Sequence, residues 1–314
     1  RLHTVDYLPF TDNGPAEPGM EQKTLWFEPD AEISRSLLDV PGREAKVRFS
    51  YLSGNDEDCD ILWRDLISAG GLMAVKDENN YFVLDSGRGL IKWFGNAGLL
   101  KSYKIPESFP KAGMISHGDS LYAVGIENAV RLDLLNGEIT ALPLPHSAAL
   151  QTADLIDLRW KDGLILTVRE AADDGAAAEN NLSFRWNEAD GVWEETDPVL
   201  PLLPENAAGE GKILDCYDDG TLLIWQHSEN PLDPSDQMLF AIRKISPDGS
   251  VLAESYVDYA PTLSTGQAPT VQRGEDGQIY IRLARQSLKE PSRFWYDIYQ
   301  LLPGEENILE MPVN

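Results

Sequence analysis

Four histidines, several arginines and two dense acidic runs are the groups in this chain whose chemistry could go beyond solvation. His227 stands between Trp225 and the acidic segment SENPLDPSD, where an imidazole could act as a general base or a metal ligand. A histidine beside aromatic strand residues equally serves packing, so both readings stay open. His146 could share a face with it, but two histidines so far apart in sequence carry no ligand spacing. Arg169, Arg285 and Arg88 could stabilise negative charge developing in a reaction. Together with Asp85, Glu127, Glu170 and His227 they form a set able to grip a polar ligand such as a sugar acid or a peptide segment. The same charges could merely neutralise one another around a wet channel.

The acidic runs pass the first test for calcium, a hard cation that prefers oxygen ligands. Asp56, Asp58 and Asp60 lie in one run, and Asp173 and Asp174 with Glu179 in the other. No D-x-D-x-D-G-x5-E loop is present, so an EF-hand is excluded, and solvated surface is the ordinary alternative. Calcium is the one cofactor kept open; no other is expected. The chain also lacks G-x-S-x-G, G-x-x-x-x-G-K-[ST] and H-E-x-x-H. Two cysteines, Cys59 and Cys216, exclude a disulfide framework and a cysteine zinc site, and leave a single bridge open.

Composition narrows the partners. The 314 residues hold 26 Lys plus Arg against 52 Asp plus Glu, giving a formal charge of −26. That balance disfavours nucleic acid and anionic lipid, whose phosphates need a basic face. Hydrophobic residues at 42% suffice for a core. No run approaches the roughly 18 to 20 apolar residues of a membrane helix, so no membrane insertion is expected. The opening RLHTVDYLPFTDNG lacks the layout of a signal peptide. The acidity nonetheless suits an extracellular or periplasmic setting for a mature chain.

The elements that must position these residues repeat. Residues 72–106 read as four short strands: one ending at Val75, then Tyr81 to Leu84, Leu90 to Phe94 and Leu99 to Tyr103. Asp77-Glu78-Asn79-Asn80, Ser86-Gly87-Arg88-Gly89 and Gly95-Asn96-Ala97-Gly98 separate them as turns. Related turns recur at Asn136-Gly137, Asp190-Gly191, Asp248-Gly249 and Pro303-Gly304, with prolines at or after the fourth strands, Pro312 last. A further hairpin recurs at Asp162-Gly163, Asp219-Gly220 and Asp276-Gly277, each leading into an apolar strand. The turn glycines 98, 137, 191, 249 and 304 are spaced by 39, 54, 58 and 55 residues, a period of strand and turn that fits propeller blades. The expectation is all-β: a single β-propeller over 1–314 made of four-stranded antiparallel blades. Six blades are expected, at 1–66 (irregular), 70–106, 112–145, 154–204, 211–261 and 269–313. Seven, with a degenerate blade near 45–66, is the alternative.

The unit 72–106 resembles the blades of NHL-type six-bladed propellers. Asn80, Tyr81, Val83, Asp85, Ser86, Ile91, Phe94 and Gly98 stand at the places of that pattern. In the next unit Gly125 replaces the Asp, and later units match only in architecture. The resemblance implies a fold used by binding scaffolds, signalling ectodomains and occasional lyases and hydrolases, and little about chemistry. It also implies that second-to-third-strand loops and inter-blade loops open on one functional face. Long loops at 169–181, 226–237 and 284–293 would decorate that face over three adjacent blades. The reading is a non-enzymatic binding or scaffold propeller, exported, holding a protein or glycan partner there. The alternative is a propeller lyase or hydrolase acting on a polar polymer or lactone. Its site would combine His227 or His146 as base with Arg169 or Arg285.

Overall fold

The structure is a computed structural model and describes residues 3–4, 27–28, 44–63, 71–125, 128–145, 153–170, 181–197, 211–217, 219–228, 239–258, 270–286 and 294–302. All regular elements among them are strands or isolated turns. β1 (His3–Thr4) and β2 (Phe27–Glu28) pair with each other. β3 (Glu44–Gly54) and β4 (Ile61–Leu62) follow. The first blade holds β5 (Met73–Asp77), β6 (Asn80–Asp85), β7 (Leu90–Gly95) and β8 (Gly98–Lys104). The second holds β9 (Gly113–His117), β10 (Ser120–Val124), β11 (Ala129–Asp133) and β12 (Ile139–Leu142). The third holds β13 (Ala153–Trp160), β14 (Leu164–Glu170), β15 (Asn181–Asn187) and β16 (Val192–Thr196). The fourth holds β17 (Gly211–Cys216), β18 (Leu222–Ser228), β19 (Leu239–Ile245) and β20 (Val251–Asp258). β21 (Thr270–Arg273), β22 (Ile279–Gln286) and β23 (Phe294–Leu302) begin the fifth. Each of the first four blades is an antiparallel meander in chain order, and the fold is a β-propeller of four-stranded blades.

Among the described residues there are five blades, where six were expected. The difference lies in β3, which belongs to no irregular first blade. It pairs antiparallel with β23 over Ser53↔Phe294 to Glu44↔Leu302 and so supplies the fifth blade's fourth strand. The place expected for residues after the Pro303-Gly304 turn is thereby taken. Side chains hold this register: Ser50 Oγ donates to Asp297 Oδ1 at 2.6 Å and Arg48 Nε to Gln300 Oε1 at 2.6 Å. Tyr51 stacks on Tyr296 with ring centroids 5.3 Å apart. Beyond β3, β4 adds a fifth strand in parallel, Ser53↔Ile61 and Gly54↔Leu62. Of the first ten residues, those described are His3 and Thr4, which pair with β2.

The chain divides into two compact units, residues 71–202 and residues 1–70 with 203–314. Within residues 71–202, β5, β9 and β13 are neighbours, so three blades meet at their first strands. Their second strands are buried on both faces, which is why β6 and β14 read as near-continuous apolar runs rather than alternating ones. Phe82, Leu84 and Ile91 of the first blade pack with Met114, Leu121 and Leu132 of the second. Tyr122, Val124 and Leu142 of the second pack with Leu166, Val168 and Trp193 of the third. Burying each such side chain stabilises by about 1.5–3 kcal/mol. The fourth strand β8 is largely exposed, because no further strand covers it within its blade.

Glycine marks the turns for a physical reason. Gly137 adopts φ 82° in the hairpin predicted from Asn136-Gly137. Gly71 adopts φ 65°, and a Cβ there would lie 2.5 Å from the Leu84 carbonyl oxygen. It is required at that close approach of two chain segments.

Candidate functional site

The hairpin from β6 to β7 carries two of the expected site residues. Asp85 ends β6 opposite Leu90, and Lys92 lies two residues further along β7, diagonally across the pair. That register brings three donors to one carboxylate. Arg88 N donates to Asp85 Oδ1 at 3.1 Å, and Arg88 Nη1 and Lys92 Nζ each donate to Oδ2 at 2.8 Å. Asp85 is fully buried, with the Arg88 and Lys92 side chains 21% and 11% exposed. The pair read as ligand-gripping is thus engaged within its own hairpin. Lys92 was missed because its role depends on strand register, which has no local signal.

Beside this hairpin runs the connection from the first blade to the second. Ile105 N donates to Gly89 O at 3.1 Å, and Ala112 N to Val124 O at 2.8 Å. The β10–β11 hairpin is closed by Gly125 N donating to Asn128 O at 2.8 Å. Asn128 Nδ2 then reaches across to Ser108 O at 3.2 Å. These segments border an open depression of about 500 Å³, lined among others by Glu107, Ser108, Pro110, Lys111, Gly125 and Asn128. Gly125 helps keep it open, since a Cβ there would sit 3.2 Å from Pro110 Cβ and 3.4 Å from Asn128 Oδ1. This gives a reason why the second blade carries glycine where the first carries Asp85. Polar and apolar residues line the depression together, and the sequence reading named none of them as a candidate site residue.

The other expected residues fall in three groups. Arg169 and Glu170 end β14, with Arg169 opposite Asn181 and Glu170 opposite Ala153. His227 lies on β18 opposite Phe240, and Arg285 on β22 opposite Trp295, so each ends or nearly ends a second strand as expected. Glu127, His146, Asp173 and Asp174 lie outside the described residues. Asp56 and Asp58 are exposed in the turn after β3, while Asp60 Oδ2 accepts from Leu52 N at 2.8 Å. Among the described residues no three His, Cys, Asp or Glu side chains are grouped to hold a metal ion. Cys59 is buried and Cys216 half-buried, and no disulfide joins them. His117, which the sequence reading passed over, stacks on Trp160 at 3.8 Å and 8°.

Carboxylates in two turns are shifted. Asp219 is held below its ordinary value by the backbone and side chain of Thr221, and Asp248 below its own by Ser246 and Ser250. Burial pushes the Tyr51 phenol above its ordinary value, with the Arg282 guanidinium opposing.

No family profile matches the chain, and no curated protein matches it. Solved structures offer distant likenesses. Virginiamycin B lyase from Staphylococcus aureus is 15% identical with a TM-score of 0.33, covering 77% of this chain and 72% of that one. A luciferin-regenerating enzyme is 10% identical with a TM-score of 0.42, covering 84% and 99%. The calcium-binding protein regucalcin from Agrobacterium tumefaciens is 11% identical with a TM-score of 0.38, covering 77% and 93%. Likenesses at this level carry no argument about activity. The propeller class rests on the strand pairing itself.

Proposed function

We propose that this chain is a non-enzymatic binding propeller, working outside the cytoplasm, that holds a protein or glycan partner on the face bearing the 86–89 and 125–128 hairpins. The observation that carries the reading is the open depression at the second of these hairpins, lined by Glu107, Ser108, Pro110, Lys111, Gly125 and Asn128 among others. A depression of this size with mixed polar and apolar lining suits a small ligand or one residue of a larger one. The Asp85–Arg88–Lys92 cluster supports it as scaffold, fixing the neighbouring hairpin without contributing a reactive group. Within the first blade Asn80 Oδ1 accepts from Trp93 Nε1 at 2.9 Å, which ties β6 to β7.

A thermal-shift screen with neutral and acidic oligosaccharides, short peptides, calcium and EDTA tests the reading. A ligand bound only by the folded state raises the melting temperature. The expected result is a shift that Lys111→Ala and Asn128→Ala abolish while His227→Ala leaves it intact. A shift abolished by His227→Ala alone, or turnover of a lactone or polysaccharide by the wild type, would overturn it.

A further inference from the structure

The outer strand of the first blade is unusually open to a partner. On β8, Leu99 and Leu100 are 53% and 58% exposed, and Leu135 in the β11–β12 turn is 72% exposed. A lysine on an outer strand ordinarily guards it against pairing with another chain. Lys101 is instead turned onto the second blade. Its Nζ donates to Leu134 O at 2.9 Å and Leu135 O at 3.2 Å, and sits 4.6 Å from the Tyr103 ring centroid. Tyr103 Oη donates to the same Leu134 O at 2.6 Å, so the turn is fastened beside β8. The turn is also held by its own side chain, as Asp133 Oδ1 accepts from Leu135 N and Asn136 N. Leu99 and Leu100 on β8 and Leu135 on the turn fastened beside it are therefore the exposed large apolar side chains along this edge, and exposed apolar surface is what an interaction site offers.

Two further observations say what covers it. The fifth blade already accepts an extra strand at its outer edge, where β4 lies on β3. Charge then selects the occupant. The β8 sequence GLLKSYK has two lysines and no acid, in a chain of net charge −26. The outer strand of the third blade, β16, reads VWEET, with two glutamates, no cation and Val192 47% exposed. Asp133 and Glu138 also lie near the patch; Asp133 is engaged by its own turn. Glu194 accepts from Asn187 Nδ2 at 2.7 Å, leaving Glu195 as the carboxylate better placed to reach another chain.

We propose that the β8 edge and Leu135 of one copy receive the β16 edge of a second copy, with Val192 covering the leucines and Lys104 meeting Glu195. The two surfaces differ, so the contact is head-to-tail, and assembly continues beyond a dimer unless a ring closes.

Sedimentation velocity over a concentration series reaching hundreds of micromolar tests this on the full chain. The expected weight-average mass rises above 34.9 kDa without a plateau at twice that value, unless a ring closes it at a higher fixed number. Leu100→Asp weakens association more than tenfold with an unchanged melting temperature. Lys104→Glu and Glu195→Lys each weaken it alone, and an equimolar mixture of the two associates again, because each supplies the intact edge the other lacks. Wild type that stays monomeric throughout overturns the proposal. So does association indifferent to Leu100→Asp, or a symmetric dimer that the mixture fails to restore. Leu100-dependent capture of a foreign chain by monomeric wild type would also overturn the second-copy assignment.

Discussion

Replacing Asp85 with alanine separates a structural carboxylate from a ligand-gripping one. The side chain is fully buried and accepts from Arg88 N, Arg88 Nη1 and Lys92 Nζ within 3.1 Å. Its removal takes a buried carboxylate partner from two mostly buried cations in the first blade. Breaking a buried pair by deleting one partner costs about 3–5 kcal/mol. Arg88, about a fifth exposed, can recover some hydration, which places Asp85→Ala near the lower end, about 3 kcal/mol. Asp85→Asn keeps an acceptor for Arg88 N but loses the charge, and should cost about 2 kcal/mol. Arg88→Ala leaves Lys92 still paired and should cost about 1 kcal/mol. For a chain of this size about 3 kcal/mol corresponds to a melting temperature lower by roughly 6 °C. Urea midpoints followed by tryptophan fluorescence, read beside calorimetry, give the order. If Asp85→Ala leaves stability unchanged or raises it, the carboxylate is being held for a ligand at a cost to the fold, and the structural reasoning fails.

Other outcomes follow from local geometry and titration. Gly71→Ala forces a Cβ to 2.5 Å from the Leu84 carbonyl oxygen at positive φ, whereas Gly191→Ala, at φ 67°, meets nothing within 4 Å. The second should cost about 1–2 kcal/mol from backbone strain alone, and the first distinctly more, as urea midpoints will show. Asp219 and Asp248 have folded values below the unfolded 3.8, so their contribution is present above 3.8 and is lost as pH falls through the folded values. Melting curves below pH 4 should therefore flatten in the double variant Asp219→Asn, Asp248→Asn. Tyr51 has a folded value above the ordinary 10.0, so its contribution is present below pH 10 and lost as pH rises through the folded value. Tyr51→Phe should lessen alkaline destabilisation, read by circular dichroism across that range.

The turns were legible because their chemistry is local. Asp77 shows this, its Oδ1 accepting from Asn79 N and Asn80 Nδ2 within the four residues that the sequence marked as a turn. The four strands of residues 72–106 follow directly, and their order needs nothing but consecutive hairpins. The destination of residues 44–54 was not legible, since no feature within AKVRFSYL names a partner some 250 residues away. The candidate site divides the same way. Strand-end positions of Asp85, Arg169, His227 and Arg285 came from counting turns, and β6, β14, β18 and β22 place them there or nearly so. What Asp85 does came only with register, because Lys92 reaches it diagonally across a hairpin. The depression at 107–112 was hidden in a connection whose apolar and charged residues follow no period.

The clasp between β3 and β23 also sets a timetable for folding. Synthesis delivers the eleven residues of β3 long before Phe294–Leu302, and at about 5–20 residues per second the gap lasts about 12–50 s. During that interval β3, with Phe49 and Tyr51, waits for β23 with only the two-residue β4 paired at its far end, while the first blade behind it can already close on local contacts. The last blade is thus the slow step built into the chain order rather than into the sheet. A circular permutant in which residues 44–54 follow residue 302 through a short turn keeps every strand pair of that blade. It converts the longest-range contacts of the fold into a hairpin, and should reach the native state sooner on the ribosome with less loss to aggregation.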